Sequence, residues 1–322
     1  MLQFGHDIIT VGASAGGVQA LITMLSGLPA DLPAAVFIVQ HLSADYQSHL
    51  PELLGRRCSL PVAYALHGQT ISSGSVYVAP PDNHLTLVAG SMRVVRGPKE
   101  NGHRPAVDAL FRTASMAYGS RVIGVVLTGE RDCGTAGMLS IKARGGLAVV
   151  QEPADAAAPS MPNSAIQNCA VDHVLPLDRV AELLARLALE PAGPAPELTS
   201  AVRQLEGTED APGAVMVCPH CHGTLQQIDS GQFLGFRCHV GHAFSLQSLA
   251  SEQAEEVERA LWSALRALEE SVQMTRRFGL HSTGELKRRF EQKAAEHAQQ
   301  AETLRRMLLG GVPSVVEDSP SP

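Results

Sequence analysis

From residue 7 to about residue 188 the chain alternates short apolar runs with stretches where apolar residues recur every three or four positions. The runs at 7–11, 35–40, 75–79, 85–88, 93–95, 122–127, 148–151 and 173–176 are rich in Val and Ile and bounded by turn formers, the signature of strands. Between several of them the spacing predicts helices over Val18–Leu25, Ser48–Leu54, Val107–Tyr118, Gly134–Ala143 and Leu177–Leu187. Strands alternating with amphipathic helices predict an α/β fold, a doubly wound, mostly parallel sheet covered on both faces. The closely spaced runs between 75 and 95 read as antiparallel hairpins inserted at an edge.

The pattern changes after residue 188. Residues 189–213 hold Pro191, Pro194, Pro196 and Pro212 among small and charged residues, as a linker does. Residues 214–250 carry clustered Cys and His. Beyond them Leu261, Leu265, Leu268 and Val272 form one helical stripe, with Gly279 and Gly284 as breaks. Leu286, Phe290, Ala294, His297, Ala301 and Leu304 form a second, giving a helical hairpin over 251–310. Its exposed Glu255, Glu256, Arg259, Arg266, Glu269 and Glu270 read as a solvated face. The tail, 311–322, reads as disordered.

A net charge of −7 supplies no field that would attract nucleic acid. The N-terminus lacks a signal-peptide pattern, and no apolar run reaches the roughly 20 residues of a membrane span. The expected location is the cytoplasm. There Cys218, Cys221 and Cys238, clustered with histidines, favour metal over disulfides. Cys58 and Cys169 read as buried filler.

The turn after the first strand, Gly12-Ala13-Ser14-Ala15-Gly16-Gly17, decides the chemistry. A dinucleotide site wants glycine where Ser14 stands, because the backbone must approach a pyrophosphate there. The second strand also ends in Gln40-His41, without an acid for a ribose. Gly12 to Gly16 instead matches G-x-S-x-G, the sharp strand-to-helix turn that lifts a serine oxygen above a sheet. A serine that only caps the helix is the plain alternative. His41 directly follows the second strand, and Thr128 to Gly134 follow the strand at 122–127. Strand ends in such a sheet share one crevice, so Ser14, His41 and an acid are expected to meet there in the order Ser, His, Asp.

At this point the chain resembles the catalytic domain of the chemotaxis protein-glutamate methylesterase family, CheB, over residues 5–188. The resemblance rests on "IITVGASAGG", "VQHLSADYQSHL", "GSVYVAPPDNHLTL", "HRPAVDALFRTAS", "VVLTGERDCGTAGM" and "QEPADAAAPSMPNSAI". It implies hydrolysis of γ-glutamyl methyl esters on methylated chemoreceptors, with glutamine deamidation in many members, and only peripheral contact with membrane-bound receptors. Ser14 would be the nucleophile, His41 the general base, and a backbone N–H at Glu130 part of the oxyanion hole. The acidic side chain of Glu130 must then point away from the developing charge. The chain begins at the catalytic domain, so the family's receiver domain is expected to be absent.

The position matching the family's catalytic aspartate is Cys133, with Asp132 one residue earlier. Three readings stand. Asp132 orients His41; Ser14 and His41 work as a dyad, with another group or the Cys133 sulfur beside the imidazole; or the domain is a degraded esterase kept as a non-enzymatic binding module. His103 and Arg104 are candidates for gripping a receptor carboxylate, or Arg104 pairs locally. Asp82, Asn83, His84 and Asp155 read as loop residues.

Cys218-x₂-Cys221 and Cys238-x₃-His242, with 16 residues between them, form two knuckles suited to one tetrahedral zinc. His220, His222 and His239 are the alternative ligands. Four protein ligands close the site, so the expected zinc is structural; a reduced thiol cluster without metal is the alternative. Gly223, Gly231, Gly235 and Gly241 suit the turns. A similar ribbon, "FRCHVGHAFS" here, accompanies stand-alone members of the family, which implies that the helical hairpin behind it is a docking element.

Overall fold

The computed structural model describes residues 5–42, 48–194, 196–197, 214–229 and 233–309. Most of the expected linker and the whole expected tail, together with residues 43–47 of the second motif and Gly231, lie outside the described residues. The chain divides into two compact units between Ser248 and Leu249.

In the first unit, β1 (Ile8–Ala13) and β2 (Ala35–Gln40) are buried at every residue, because layers cover both faces. Their side chains alternate between two cores. Ile9, Val11, Val36 and Ile38 join Leu21 and Leu25 of α1 (Gly17–Ser26) and Leu184 of α6 (Leu177–Leu187). Ile8, Phe37 and Val39 join Val107, Leu110 and Phe111 of α3 (Val107–Tyr118) and Met138 of α4 (Thr135–Ala143). With β3 (Val62–Tyr64), β4 (Ser75–Val78), β7 (Val122–Val126), β8 (Leu147–Gln151) and β9 (His173–Leu175), these strands form a seven-stranded sheet ordered β3-β4-β2-β1-β7-β8-β9. Every neighbouring pair is parallel.

The antiparallel hairpin is confined to β5 (His84–Val88) and β6 (Ser91–Val95), which form their own two-stranded sheet. The run at 75–79 belongs instead to the parallel sheet. Pro80 and Pro81, which have no N–H to donate, lead the chain out of it. Helix α5 (Ser160–Asn168) was not expected. Its Pro162 sits in the first turn, where no intrahelical N–H bond is lost.

The same unit contains an antiparallel sheet of β10 (Ala214–Val217), β11 (Thr224–Asp229), β12 (Leu234–Cys238) and β13 (Ala243–Ser245). Helix α7 (Leu246–Leu280) starts directly after it and runs through Gly279, where the sequence predicts a break. The second unit pairs α7 with α8 (Gly284–Leu309). Phe278 meets Phe290 with ring centroids 5.8 Å apart, and Ser271 Oγ lies 2.9 Å from His297 Nδ1, the pairing of an antiparallel hairpin. No helix among the described residues is long and apolar enough to cross a membrane.

Candidate active site and metal centre

Ser14 leaves the central strand at its carboxyl end. Its N–H donates to Thr128 O (3.0 Å), and its carbonyl accepts from Gly17 N–H (2.9 Å) and Gln40 Nε2 (2.8 Å). Gly16 turns the chain into α1 at φ +73°, and a Cβ there would lie 2.7 Å from Ala157 Cβ. Gly12 is needed for space, since its Cβ would lie 2.3 Å from Val107 Cγ1. The turn is the sharp strand-to-helix corner that the sequence predicted, and Ser14 is half-buried at its tip.

His41 leaves the adjacent strand end, its N–H on Ala13 O at 3.1 Å. Gln40 Nε2 ties the two corners together, donating to Ser14 O and, at 3.1 Å, to His41 O. The His41 ring stacks on His103, centroids 3.7 Å apart and planes 13° from parallel. Both ring nitrogens are covered and have no hydrogen-bond partner among the described residues. Burial pushes the His41 pKa well below its usual value, and the charges of His103 and Arg131 act the same way. The imidazole is therefore neutral near pH 7, as a base must be, and among the described residues no group bonds its protonated form.

The loop after β7 closes over Ser14, and the charge of its Arg131 reaches His41. Thr128 Oγ1 donates to Ala15 O (2.9 Å), and a Cβ on Gly129 would lie 2.8 Å from Ser14 Cβ and 2.1 Å from Met161 Sδ. Glu130 is exposed, and its Oε2 accepts from Ser160 Oγ at 3.1 Å, which occupies its carboxylate on α5. Cys133 is buried with Sγ accepting the Val107 N–H at 3.3 Å, and burial together with nearby Asp108 pushes its thiol well above the usual range. It remains a neutral thiol with no bond to His41.

Asp132, also buried, has its Oδ1 2.8 Å from Ser248 Oγ. Burial raises its pKa against hydrogen bonds from Ser245 and Ser248. The structure thus brings Ser14 and His41 to one edge but places Asp132 on another partner. Among the described residues no carboxylate bonds the His41 ring. Arg104 pairs locally, its Nε on Asp82 Oδ1 at 2.8 Å and its Nη1 on Gly97 O at 2.7 Å. Asp155 accepts from Gln151 and from the Leu177 N–H, as a loop residue does.

Cys218, Cys221, Cys238 and His242 offer four ligand atoms within 4.8 Å of one another, a group that can hold a metal ion. Three of the separations are 3.5 Å (Cys238 Sγ to His242 Nδ1), 3.6 Å (Cys221 Sγ to Cys238 Sγ) and 3.7 Å (Cys218 Sγ to His242 Nδ1). Metal–sulfur bonds of about 2.3 Å in a tetrahedron place ligand atoms about 3.7 Å apart, so the donor set fits. His220, His222 and His239 are outside this group; His220 packs edge-on against His242.

The sequence reading missed how this sheet seats on the α/β domain. β13 runs beside residues 99–101: Asn101 N–H donates to Ala243 O (2.7 Å), Ala243 N–H to Lys99 O (3.4 Å) and Ser245 N–H to Asn101 Oδ1 (2.8 Å). Asn101 Nδ2 in turn donates to Asp108 Oδ2 at 2.7 Å. Arg112 grips Glu100 with both terminal nitrogens, at 2.6 and 2.8 Å. Burial raises Glu100, but Arg112 overcomes this and holds it at about 2. A lysine, a glutamate and an asparagine before "GHRP" look like an ordinary loop, and only their burial shows the junction.

Residues 9–184 match the model of the CheB methylesterase family. The chain is 41% identical over 183 residues to a putative protein-glutamate methylesterase/protein-glutamine glutaminase of Leptospira interrogans, covering 56% of this chain and 95% of that protein. It is 36% identical to a protein-glutamate methylesterase/protein-glutamine glutaminase of Methanosarcina acetivorans, covering 56% of this chain and 53% of that protein. Among solved structures, the Thermotoga maritima CheB methylesterase catalytic domain superposes with a TM-score of 0.55 at 33% identity, covering 56% of this chain and 98% of that one.

Proposed function

The chain belongs to the CheB methylesterase family, and on that premise we propose that its first unit hydrolyses γ-glutamyl methyl esters on a methylated chemoreceptor-type signalling protein. The observation that carries the reading is the pair of corners at one sheet edge, Ser14 and His41, tied by Gln40. In acylation Ser14 Oγ bonds to the ester carbonyl carbon while His41 takes its proton. The methoxide leaves with that proton as methanol. Water then repeats the sequence on the glutamyl-enzyme, with His41 as base, and frees the glutamate carboxylate. A glutamine side chain at the same carbon would release ammonia.

The oxyanion needs donors that are not already used. The family resemblance implies the Glu130 N–H as a donor; the N–H groups of Ser14 and Gly129 are committed to Thr128 O and Ala158 O, and the Glu130 side chain is engaged by Ser160. Asp132 is proposed as the acid that supports His41 once it is free to do so. A non-enzymatic binding module is the alternative reading, since Asp132 is held by Ser248 in the arrangement seen here.

Cys218, Cys221, Cys238 and His242 would hold zinc. With four protein ligands it would cross-link the knuckles and leave no open position for catalysis. The proposed partner is a receptor helix, reached in the cytoplasm without insertion into the membrane. The test is methanol release from receptor fragments carrying labelled methyl esters. Release that disappears in Ser14→Ala supports the esterase; equal release from both proteins overturns it, and silence of both favours the binding module.

A further inference from the structure

Among the described residues no carboxylate bonds the His41 ring, and Asp132, directly after the Arg131 whose charge reaches that ring, is held by another partner. Asp132 Oδ1 accepts from Ser248 Oγ at 2.8 Å, and the Ser248 N–H is capped by Ser245 Oγ at 3.0 Å. Ser245 ends β13, the edge strand of the cysteine-bearing sheet, and Ser248 lies in the first turn of α7, which follows that strand directly. The same edge pins residues 99–101 through Asn101 and Ala243. Two residues on, His103 lies flat against His41 and covers it. Gly241, in the knuckle between Cys238 and His242, packs on Pro98 at the start of that segment; a Cβ there would lie 3.3 Å from Pro98 Cγ. One docked module thus touches both the segment that carries His103 and the acid that directly follows Arg131, His103 and Arg131 being the two residues whose charges reach His41.

We propose that the cysteine-bearing ribbon is an intramolecular clamp, in which Ser248 is a positioning residue that holds Asp132 away from His41 and the ribbon edge holds His103 over it. The clamp rests on the esterase reading above. Released from Ser248, Asp132 is available to His41, and the imidazole takes the Ser14 proton faster than it does in the clamped chain. The backbone is poised for the change. Arg131, directly before Asp132, sits at φ +63°, a left-handed conformation that costs a non-glycine residue about 1 kcal/mol or more. Rotation of this residue back to the right-handed region relieves the strain and re-aims the Asp132 side chain. The ribbon can be displaced as a unit because its own sheet is held by internal strand pairing and by the cysteine–histidine group.

The test uses the full chain and a fluorophosphonate probe, which bonds its phosphorus to Ser14 Oγ and expels fluoride when His41 takes the serine proton. Ser248→Ala should label at Ser14 ten-fold or more faster than wild type, the factor that loss of a hydrogen bond to a charged group supplies. Ser248→Thr, which keeps the hydroxyl, should restore the wild-type rate; a variant acting through packing alone would not be rescued this way. Amide hydrogen exchange should show residues 98–104 and 128–134 opening in Ser248→Ala while β1 and β2 stay protected. Opening with an unchanged or slower labelling rate overturns the clamp and leaves the esterase intact. No opening, with labelling as in wild type, also overturns it. If neither protein labels, although hydrogen exchange shows both folded, the esterase reading fails along with the clamp.

Discussion

Asp108 gives the folded chain a pH dependence that one substitution can isolate. Its carboxylate accepts the Gly137 N–H on Oδ1 and the Asn101 amide on Oδ2, each at 2.7 Å. Burial pushes its pKa from 3.8 up to about 6; hydrogen bonds to Gly137 and Gly134 oppose the rise, and the charges of Glu100 and Asp132 add to it. A difference of about two pKa units is worth about 3 kcal/mol. The unfolded chain releases this proton at lower pH than the folded one does. Stability is therefore greatest below the unfolded pKa, falls as pH rises from about 4 to about 6, and is level beyond. About 1.3 kcal/mol of the loss falls between about pH 5 and about pH 7.

Asp108→Asn removes this titration. The variant is less stable at every pH, because its amide nitrogen faces the Asn101 amide across a former hydrogen bond. Its deficit relative to wild type should shrink by about 1.3 kcal/mol as the pH rises from about 5 to about 7, read from urea unfolding midpoints and slopes. The histidines titrate alike in both proteins and cancel in the difference. Glu100, held at about 2 by Arg112, loses its stabilising ionisation only as pH falls below about 4.5 and does not interfere. Parallel stability profiles for the two proteins across this range would refute the reasoning.

Four further outcomes are expected. Gly129→Ala drives a Cβ against Met161 Sδ and Ser14 Cβ, so it should cost about 1–3 kcal/mol in urea unfolding and slow probe labelling of Ser14. Arg112→Met leaves the Glu100 carboxylate without its two-pronged partner and should cost about 3–5 kcal/mol, most of it recovered in the double variant with Glu100→Gln; a shift in melting temperature corresponding to less than about 1 kcal/mol would contradict this. Cys133→Asp should raise methanol release but lower stability at neutral pH, because the new carboxylate sits beside Asp108; unchanged hydrolysis would argue that this position does not face the reaction. One zinc per chain should be found by metal analysis and lost in Cys238→Ser, with exchange protection lost in β10–β13; metal-free protein with a protected sheet would contradict the zinc assignment.

Much of the α/β layer was legible because β1, β2 and β7 are continuous apolar runs buried on both faces, and α3 and α6 carry clear helical stripes. Weaker signals were lost where local pattern and tertiary role diverge. β3 is only Val62–Tyr64, and it gains strand geometry by pairing with β4. α5 carries a proline and few apolar residues, and its place against β7 and β8 is set by the sheet. In the site, the corners holding Ser14 and His41 were visible because glycine placement and strand ends are local features. The partner of Asp132 was not. Ser248 lies 116 positions away, and a serine in an amphipathic stretch carries no signal that it will meet a carboxylate.

The central claim is that Ser14 is the nucleophile, and trapping the acyl-enzyme tests it most directly. A methylated receptor peptide is mixed with the full chain, quenched in acid within a turnover, and the digest is read by mass spectrometry. The account predicts a glutamyl adduct on the peptide containing Ser14, absent in Ser14→Ala, with methanol released in equal amount. Methanol released without that adduct, or an adduct on another residue that persists in Ser14→Ala, would contradict it.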